Sequence, residues 1–174
     1  MKLTAKECAL AALMAALLCV LSPISIPVGT IPLTLQTFAV ALCGAMLGPG
    51  LGALSVVVYL LIGAVGVPVF NGFTAGFGRF VGPTGGYLFA FPAVATLSGL
   101  FRSRSVYAQL SSAVASLLIL YLAGTAQLAF VLAIPFRDAA IVGILPFIAK
   151  DAISVVLAVL ASRGITRIMK RSAN

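Results

Sequence analysis

The chain alternates between long apolar segments and short connections rich in glycine, proline or charged residues. A straight helix needs about 20 residues to cross the ~30 Å hydrocarbon layer of a membrane. The pattern therefore predicts an all-α integral membrane protein with six transmembrane helices. Because the second and third segments are short, five spans with a re-entrant hairpin are the alternative. The segments run from Thr4 to Leu21, Leu33 to Leu47, Gly50 to Val67, Thr84 to Leu100, Val106 to Ile134 and Leu145 to Met169.

The basic residues predict the orientation of these spans. Cytoplasmic connections of membrane proteins carry an excess of Lys and Arg, and eight of the eleven basic residues fall in three patches. An even number of spans also returns both termini to one side. We therefore expect both termini to be cytoplasmic. The patches are Lys2 with Lys6, Arg102 with Arg104, and Arg163 with Arg167, Lys170 and Arg171.

The composition agrees with one membrane domain covering residues 1–174. The chain is 62% hydrophobic and 8% charged, against about 25% charged residues in a typical soluble domain. The net charge of +8 favours contact with anionic lipid head groups of the bilayer, and no stretch reads as a nucleic-acid surface. The N-terminus is similar to a signal peptide, but no small-x-small cleavage site follows it. We interpret it as an uncleaved first helix.

The inventory of reactive residues argues against an enzyme. Histidine is absent, and Cys8, Cys19 and Cys43 do not have the spacing of zinc ligands. A phosphate-binding loop needs a Gly-Lys dipeptide, which the chain lacks. We expect no catalytic residue, metal or cofactor, and any active transport must draw on an ion gradient or a partner protein.

Some charged residues lie away from the basic patches and are candidates for a binding site. Arg79, Arg137 and Lys150 fall on the opposite side of the predicted topology, and Asp151 lies about one turn inside the last apolar segment. An ionisable residue inside a span is costly and marks a functional site. Asp138, next to Arg137, is interpreted as half of a solvated pair.

Two connections on that opposite side are unusual. The stretch from Ser22 to Pro32 contains three prolines and a glycine and cannot be helical. The stretch from Val67 to Gly82 is rich in Gly and Phe. Loops this long and apolar are seldom simple connectors. We interpret the second loop as a lid over a buried ligand.

The first predicted helix carries small residues at helical spacing. Small side chains let helix backbones approach closely within a membrane, so this face is a candidate surface for a partner protein. Glu7, in the first turn, suits the helix dipole and is expected to be structural. The candidate partner-interface residues are Ala5, Ala9, Ala12 and Ala16.

Two stretches between Ile26 and Phe91 read IPVGTIPLTLQTFAVALCGAMLGPGLGALSVVVYLLIGAVGVPVF and GFTAGFGRFVGPTGGYLFAF. On these residues, and more weakly at Pro146 to Asp151, the chain resembles the BioY family, the biotin-binding S components of energy-coupling factor (ECF) transporters. The resemblance implies a six-helix fold in a prokaryotic cell membrane and capture of biotin from the extracytoplasmic side. It also implies two cytoplasmic ATPases and a transmembrane coupling protein, to which the alanine-rich helix is presented.

The resemblance and the chemistry of biotin together predict the binding residues. The fused rings need apolar cover, which Phe70, Phe73 and Tyr87 can supply. The ureido group needs donors and acceptors, which the amides of Gln36 and Asn71 can provide. The predicted substrate-binding residues are Gln36, Asn71, Phe73, Arg79, Tyr87, Lys150 and Asp151.

One position departs from the family pattern. The family's last helix usually carries an Asp with a Lys three residues later, whereas Asp151 is followed by Ser154. Lys150 is predicted to lie on a different helical face. We therefore expect Arg79, in the apolar loop, to pair with the biotin carboxylate, with Lys150 as the alternative.

Three other functions compete with this interpretation. The chain could be an S component for another small vitamin, an autonomous ion-coupled carrier, or a structural subunit that binds no ligand. Ligand recovered from the purified protein separates the last from the others. A requirement for ATPases separates S components from an autonomous carrier.

Overall fold

A computed structural model describes residues 3–26 and 31–172 of the chain. Lys2, Pro27 and Gly29, which entered the sequence predictions, lie outside the described residues. The described part consists of eight α-helices and one two-stranded sheet. They are α1 (Ala5–Leu21), β1 (Ser25–Ile26), β2 (Leu33–Thr34), α2 (Gln36–Leu47), α3 (Pro49–Ala64), α4 (Gly78–Val81), α5 (Gly85–Leu100), α6 (Val106–Leu132), α7 (Phe136–Gly143) and α8 (Ile148–Ser172).

The six predicted apolar segments coincide with the six longest helices, α1, α2, α3, α5, α6 and α8. The short helices α4 and α7 were not predicted, because four and eight residues give too little periodicity to read. The loop from Val67 to Gly82, which was predicted only as a lid, contains α4 and a 3-10 turn at Asn71–Phe73.

The two-stranded sheet corrects the all-α prediction in detail. β1 and β2 pair antiparallel, with Ser25 opposite Thr34 and Ile26 opposite Leu33. The prolines of this stretch exclude a helix, and the extended backbone that they favour satisfies its hydrogen bonds across the pair. The sheet brings Thr34 to the N-terminal end of α2.

Local sequence signals explain where two of the helices begin. At α1, the Glu7 amide donates to Thr4 Oγ1 at 3.3 Å, and the Thr4 amide donates to Glu7 Oε2 at 2.9 Å. This capping box agrees with the structural role predicted for Glu7. Between α2 and α3, Gly48 adopts a φ of 88°, and Pro49 occupies the first turn of α3, where it costs no hydrogen bond.

Small residues bring the central helices into close contact. Gly44 of α2 faces the backbone of Ala95 on α5, and Gly52 of α3 lies against Gly44. A β-carbon at either glycine would collide with backbone atoms, so these positions set the separation of the three helices. α5 is central to the fold and also packs along α6, while α8 packs against α2 and α6.

The outer surface of the bundle is apolar. On α6, Leu118, Leu122 and Phe130 are 67%, 62% and 86% exposed, which suits lipid rather than water. By length and composition, Val106–Leu132 and Ile148–Met169 could each cross a membrane, and three further apolar helices are shorter. The number of spans and the side on which the termini lie stay predictions.

Candidate functional site

A cavity lies at the end of the bundle where α8 begins. The space between its protein atoms, including open solvent at its mouth, is about 510 Å³. Helices α2, α5, α6 and α8 form its walls, and the β2 strand and the loop before α4 cover it. Its lining residues are Ile31, Pro32, Thr34, Gln36, Thr37, Asn71, Thr84, Tyr87, Leu88, Phe91, Leu120, Phe147, Lys150 and Asp151.

Asp151 is the acidic centre of the polar wall. It lies in the first turn of α8 and is 3% exposed. Its Oδ2 accepts a hydrogen bond from the Tyr121 hydroxyl at 3.0 Å, and its carboxylate forms an ion pair with Lys150. The Lys150 ammonium also donates to the Thr34 carbonyl at 3.1 Å. A buried carboxylate is thus stabilised by one hydrogen bond and one ion pair.

Gln36 continues the polar wall from Thr34. The Thr34 hydroxyl donates to Gln36 Oε1 at 3.3 Å, and Gln36 Nε2 donates to the Tyr59 hydroxyl at 2.8 Å. The Tyr59 hydroxyl in turn donates to the Val69 carbonyl at 3.2 Å. The chain of contacts from Tyr121 to Val69 therefore ties α6, α8, β2, α2 and α3 to the start of the apolar loop.

Asn71 and Arg79 form a second polar unit, within the apolar loop. Arg79 Nη2 donates to Asn71 Oδ1 at 2.9 Å, and the Thr74 hydroxyl donates to the Asn71 carbonyl at 2.9 Å. Asn71 lines the cavity, whereas Arg79 does not. Because the amide oxygen of Asn71 accepts this hydrogen bond from Arg79, the amide N–H groups of Asn71 can donate to other partners.

The rest of the lining includes aromatic and aliphatic side chains, namely Leu88, Phe91, Leu120 and Phe147. Tyr87 also lines the cavity, and its hydroxyl donates to the Gly143 carbonyl at 3.0 Å. Its ring lies against Gly124 of α6, so a side chain at Gly124 would displace the ring. The cavity therefore offers both polar and apolar side chains to a ligand.

The structure brings five of the seven predicted substrate-binding residues together at this cavity: Gln36, Asn71, Tyr87, Lys150 and Asp151. It places the other two elsewhere. Phe73 is 72% exposed at the tip of the loop, and Arg79 lies behind Asn71. Phe70, which was also expected to cover the ligand, is fully buried and packs edge-on against Tyr59.

Lys150 corrects one expectation about the last helix. It was predicted to lie on a different helical face from the family's lysine position, which is Ser154 here, but residues four apart share a face. Lys150 lines the cavity and forms an ion pair with Asp151. The long, flexible lysine stem reaches across the helix surface, which the roughly 100° between neighbouring residues does not prevent. Lys150 therefore supplies a cation at the cavity, where the family's later lysine is missing.

Thr34 and Tyr121 were not predicted as site residues. Thr34 belongs to the motif P-L-T-L-Q-T, and its place two residues before Gln36 was a usable signal. Tyr121 lies within the long apolar helix α6 and is 6% exposed. A hydroxyl there needs a polar partner, but the sequence does not identify Asp151 as that partner.

The predicted partner face of α1 points away from the rest of the bundle. Ala5, Ala9, Ala12 and Ala16 are exposed, whereas Ala11 and Ala15, on the other side of the helix, are buried. α1 packs against α2 and α3 through that other side. The four exposed alanines thus form one accessible strip of small residues.

The described residues contain neither a cluster of metal ligands nor a disulfide bond. No group of three or more His, Cys, Asp or Glu side chains is placed to hold a metal ion within residues 3–26 and 31–172. The three cysteines are unpaired. The fold and cavity define an apolar helical bundle with a cavity near one end.

Comparison with known proteins identifies the family. The sequence model of the BioY family matches residues 1–171. The chain belongs to the BioY family.

Individual relatives agree over most of the chain. The probable biotin transporter BioY of Pyrococcus horikoshii is 44% identical over 156 residues, covering 90% of this chain and 93% of that protein. The biotin transporter BioY of Thermotoga maritima is 43% identical, covering 86% and 89%. A crystal structure of the S-component for biotin from an ECF-type ABC transporter superposes with a TM-score of 0.87, at 28% identity and 95% coverage of each chain.

Proposed function

We propose that this chain is the biotin-binding S component of an ECF transporter and captures biotin from the extracytoplasmic side of a prokaryotic cell membrane. The observation that carries the proposal is the cavity, whose lining combines hydrogen-bonded polar side chains with apolar ones. Its fold is that of the S-component for biotin described above. Biotin has the matching character, with a polar ureido edge on an apolar fused ring system.

The polar and apolar side chains that line the cavity suggest how biotin is oriented. The sulfur-containing ring and the aliphatic tail pack against Leu88, Phe91 and Leu120, where burying apolar surface contributes about 25 cal/mol per Å². The ureido group faces the polar wall. There the Asn71 amide N–H groups donate to the ureido oxygen, and Asp151 accepts from a ureido N–H.

The energy for uptake comes from partners. The chain has no phosphate-binding loop, so a transmembrane coupling protein and two cytoplasmic ATPases supply ATP hydrolysis. The exposed alanine strip of α1 is the proposed docking surface for the coupling protein, because small residues allow close helix approach. The six long helices span the membrane, with both termini in the cytoplasm.

Uptake in cells tests this function. Labelled biotin is supplied to cells that lack their own biotin transporters and express this chain with or without an ECF module. We expect rapid accumulation with the intact module and a loss of accumulation when the ATPases carry inactivating substitutions. Equal uptake without the module would identify an autonomous carrier. Failure to recover biotin from the purified protein, together with no uptake, would favour a structural subunit.

The orientation yields a separate prediction. On a cysteine-free background, Ser103→Cys in the α5–α6 connection is expected to resist a membrane-impermeant thiol reagent in intact cells and to react after lysis. Phe73→Cys, which replaces an exposed side chain in the apolar loop, is the matched control and is expected to react from outside. Labelling of position 103 in intact cells would reverse the topology and place the cavity on the cytoplasmic side.

The carboxylate of biotin gives a prediction that distinguishes two cations. Lys150 lines the cavity and Arg79 does not, so we now expect Lys150, rather than Arg79, to pair with the carboxylate, its flexible stem turning the ammonium away from Asp151 toward the tail of bound biotin. Lys150→Gln should weaken biotin by about 1–3 kcal/mol, the usual range for a charged hydrogen bond. Biotin amide, with its uncharged tail, should be weakened less.

Arg79→Gln is the matched comparison. It removes a cation that contacts Asn71 instead of the cavity, and should weaken biotin and biotin amide equally by misplacing the Asn71 amide. Isothermal titration of both ligands against both variants separates the roles. A larger loss for biotin than for its amide in Arg79→Gln alone would return the carboxylate to Arg79.

A further inference from the structure

A second cavity lies near the opposite end of the bundle, among the basic residues. The space between its protein atoms, including open solvent at its mouth, is about 810 Å³. Asp151 and Arg163 both lie on α8, and their sequence separation places the two cavities roughly 18 Å apart along the helix. The lining residues are Ala45, Arg102, Ser103, Gln109, Ser162, Arg163, Thr166 and Arg167.

A buried amide fixes one arginine in this cavity. Gln109 is fully buried, and its Nε2 donates to the Ser98 carbonyl at 3.1 Å. Its Oε1 therefore faces Arg163 and accepts from Arg163 Nε at 2.8 Å. Arg163 Nη2 also donates to the Arg104 carbonyl at 2.8 Å. These contacts hold the guanidinium in one orientation without neutralising its charge.

Two more guanidinium groups line the same cavity. Arg167 lies one turn after Arg163 on α8, and residues at this spacing share a helix face. Arg102 comes from the α5–α6 connection, and its side chain lies against Gly48 in the turn between α2 and α3. Three arginines from two parts of the chain thus border one cavity, with hydroxyl groups of Ser103 and Thr166 between them.

No acidic side chain within the described residues balances these arginines. The chain contains three acidic residues, Glu7, Asp138 and Asp151, and none of them lines this cavity. The ion pair found within the described residues joins Lys150 to Asp151 at the other cavity. Like charges grouped in a partly enclosed space repel one another, so an external anion would stabilise the cluster.

We propose that this cavity binds the phosphate of an anionic phospholipid head group. The planar fork of arginine matches phosphate oxygens in two-point hydrogen bonds, and basic pockets between helices at the cytoplasmic side of a membrane bind such head groups. Exposed apolar side chains such as Tyr107 on α6 and Ile168 on α8 offer a surface for the acyl chains. Helix α1, the proposed docking surface for the coupling protein, does not line the cavity.

Native mass spectrometry of the purified protein in neutral detergent tests the proposal. Phosphatidylglycerol and phosphatidylcholine are titrated separately, and the bound lipid is read from the mass. We expect phosphatidylglycerol to bind more tightly. Arg102→Gln and Arg167→Gln should each weaken it about fivefold, the effect of one basic residue near an anionic membrane surface, with phosphatidylcholine unchanged. Arg167→Lys, which keeps the charge but loses the fork, should retain part of the affinity.

Two control variants keep the same net charge as the test variants. Lys6→Gln and Arg171→Gln each remove one exposed basic side chain that does not line the cavity, and both should leave phosphatidylglycerol binding unchanged. An equal loss in the controls would show general attraction to a basic surface and would overturn the proposal. The melting temperature of each variant without added lipid checks that it is folded.

Inorganic phosphate distinguishes the two sources of this chemistry. It is titrated in the same experiment, and we expect millimolar phosphate to leave the bound phosphatidylglycerol in place. Displacement of the lipid by phosphate, with the same dependence on Arg102 and Arg167, would identify a site for a free phosphate compound and overturn the assignment to lipid.

Discussion

Asp151→Asn is expected to weaken biotin binding by about 1–3 kcal/mol, the usual cost of a lost charged hydrogen bond, while the protein still folds. Asp151 is 3% exposed and lines the cavity, so its carboxylate can accept a ureido N–H without competition from bulk water. The amide of Asn offers a weaker acceptor, and it also ends the ion pair with Lys150. Equilibrium titration of biotin against purified protein measures the effect.

Two further variants separate a role in binding from a role in folding. Asp138→Asn makes the same chemical change at an exposed position on α7 and should leave biotin affinity unchanged. Tyr121→Phe removes a donor to Asp151 from a side chain that does not line the cavity, and should cost about 0.5–1.5 kcal/mol of binding. An unchanged affinity in Asp151→Asn would assign this carboxylate to structure alone.

Ala9→Leu and Ala12→Leu are expected to reduce uptake by the assembled transporter while leaving biotin binding by the isolated chain intact. Both alanines are exposed on the strip of α1 that faces away from the bundle. A leucine there holds the partner helix at a greater distance, and a bulkier residue at a close-packed contact typically costs about 1–3 kcal/mol. Uptake assays and copurification of the ECF module measure the loss.

Two alanine-to-leucine substitutions elsewhere in the chain are matched controls for this surface. Ala126→Leu places the same side chain at an exposed position of α6 and should not change uptake. Ala15→Leu inserts it at a buried position of α1 and should impair folding and biotin binding together. If Ala9→Leu behaves like Ala15→Leu, the strip packs internally and the coupling protein docks elsewhere.

The long helices were predictable because their signal is local. Each apolar segment ends at residues that punctuate helices, such as Gly48 and Pro49 between α2 and α3. The resemblance to the BioY family, carried by motifs within Ile26 to Phe91, is confirmed by the family match over residues 1–171. The strand pair β1–β2 was missed because two-residue strands have no detectable alternation.

The arrangement of the cavity was only partly predictable, because it depends on tertiary contacts. Asp151 stood out as a carboxylate within an apolar segment, and the structure does place it at the cavity. Arg79 was assigned to the ligand from its place in an apolar loop, but the fold of that loop turns its guanidinium toward Asn71. The sequence of a loop shows which residues are available, but it does not predict where their side chains point.

Side-chain contacts within helices were also not predictable from the sequence, as Lys150 and Tyr121 show. Helical periodicity predicts which face carries the α-carbon, but a lysine ammonium sits at the end of four methylene groups and can reach a neighbouring face. The Tyr121 hydroxyl meets Asp151 across two helices whose packing no local pattern describes. Both contacts follow from how α6 and α8 cross.

The cavity beside Asp151 is proposed to bind biotin in preference to other vitamins. The most direct measurement is equilibrium binding of biotin, thiamine and riboflavin to the purified chain, each titrated alone and in competition. We predict that biotin binds at one site per chain and that a large excess of thiamine or riboflavin does not displace it. Tighter binding of either competitor, or no binding of any of the three, would contradict the proposed function.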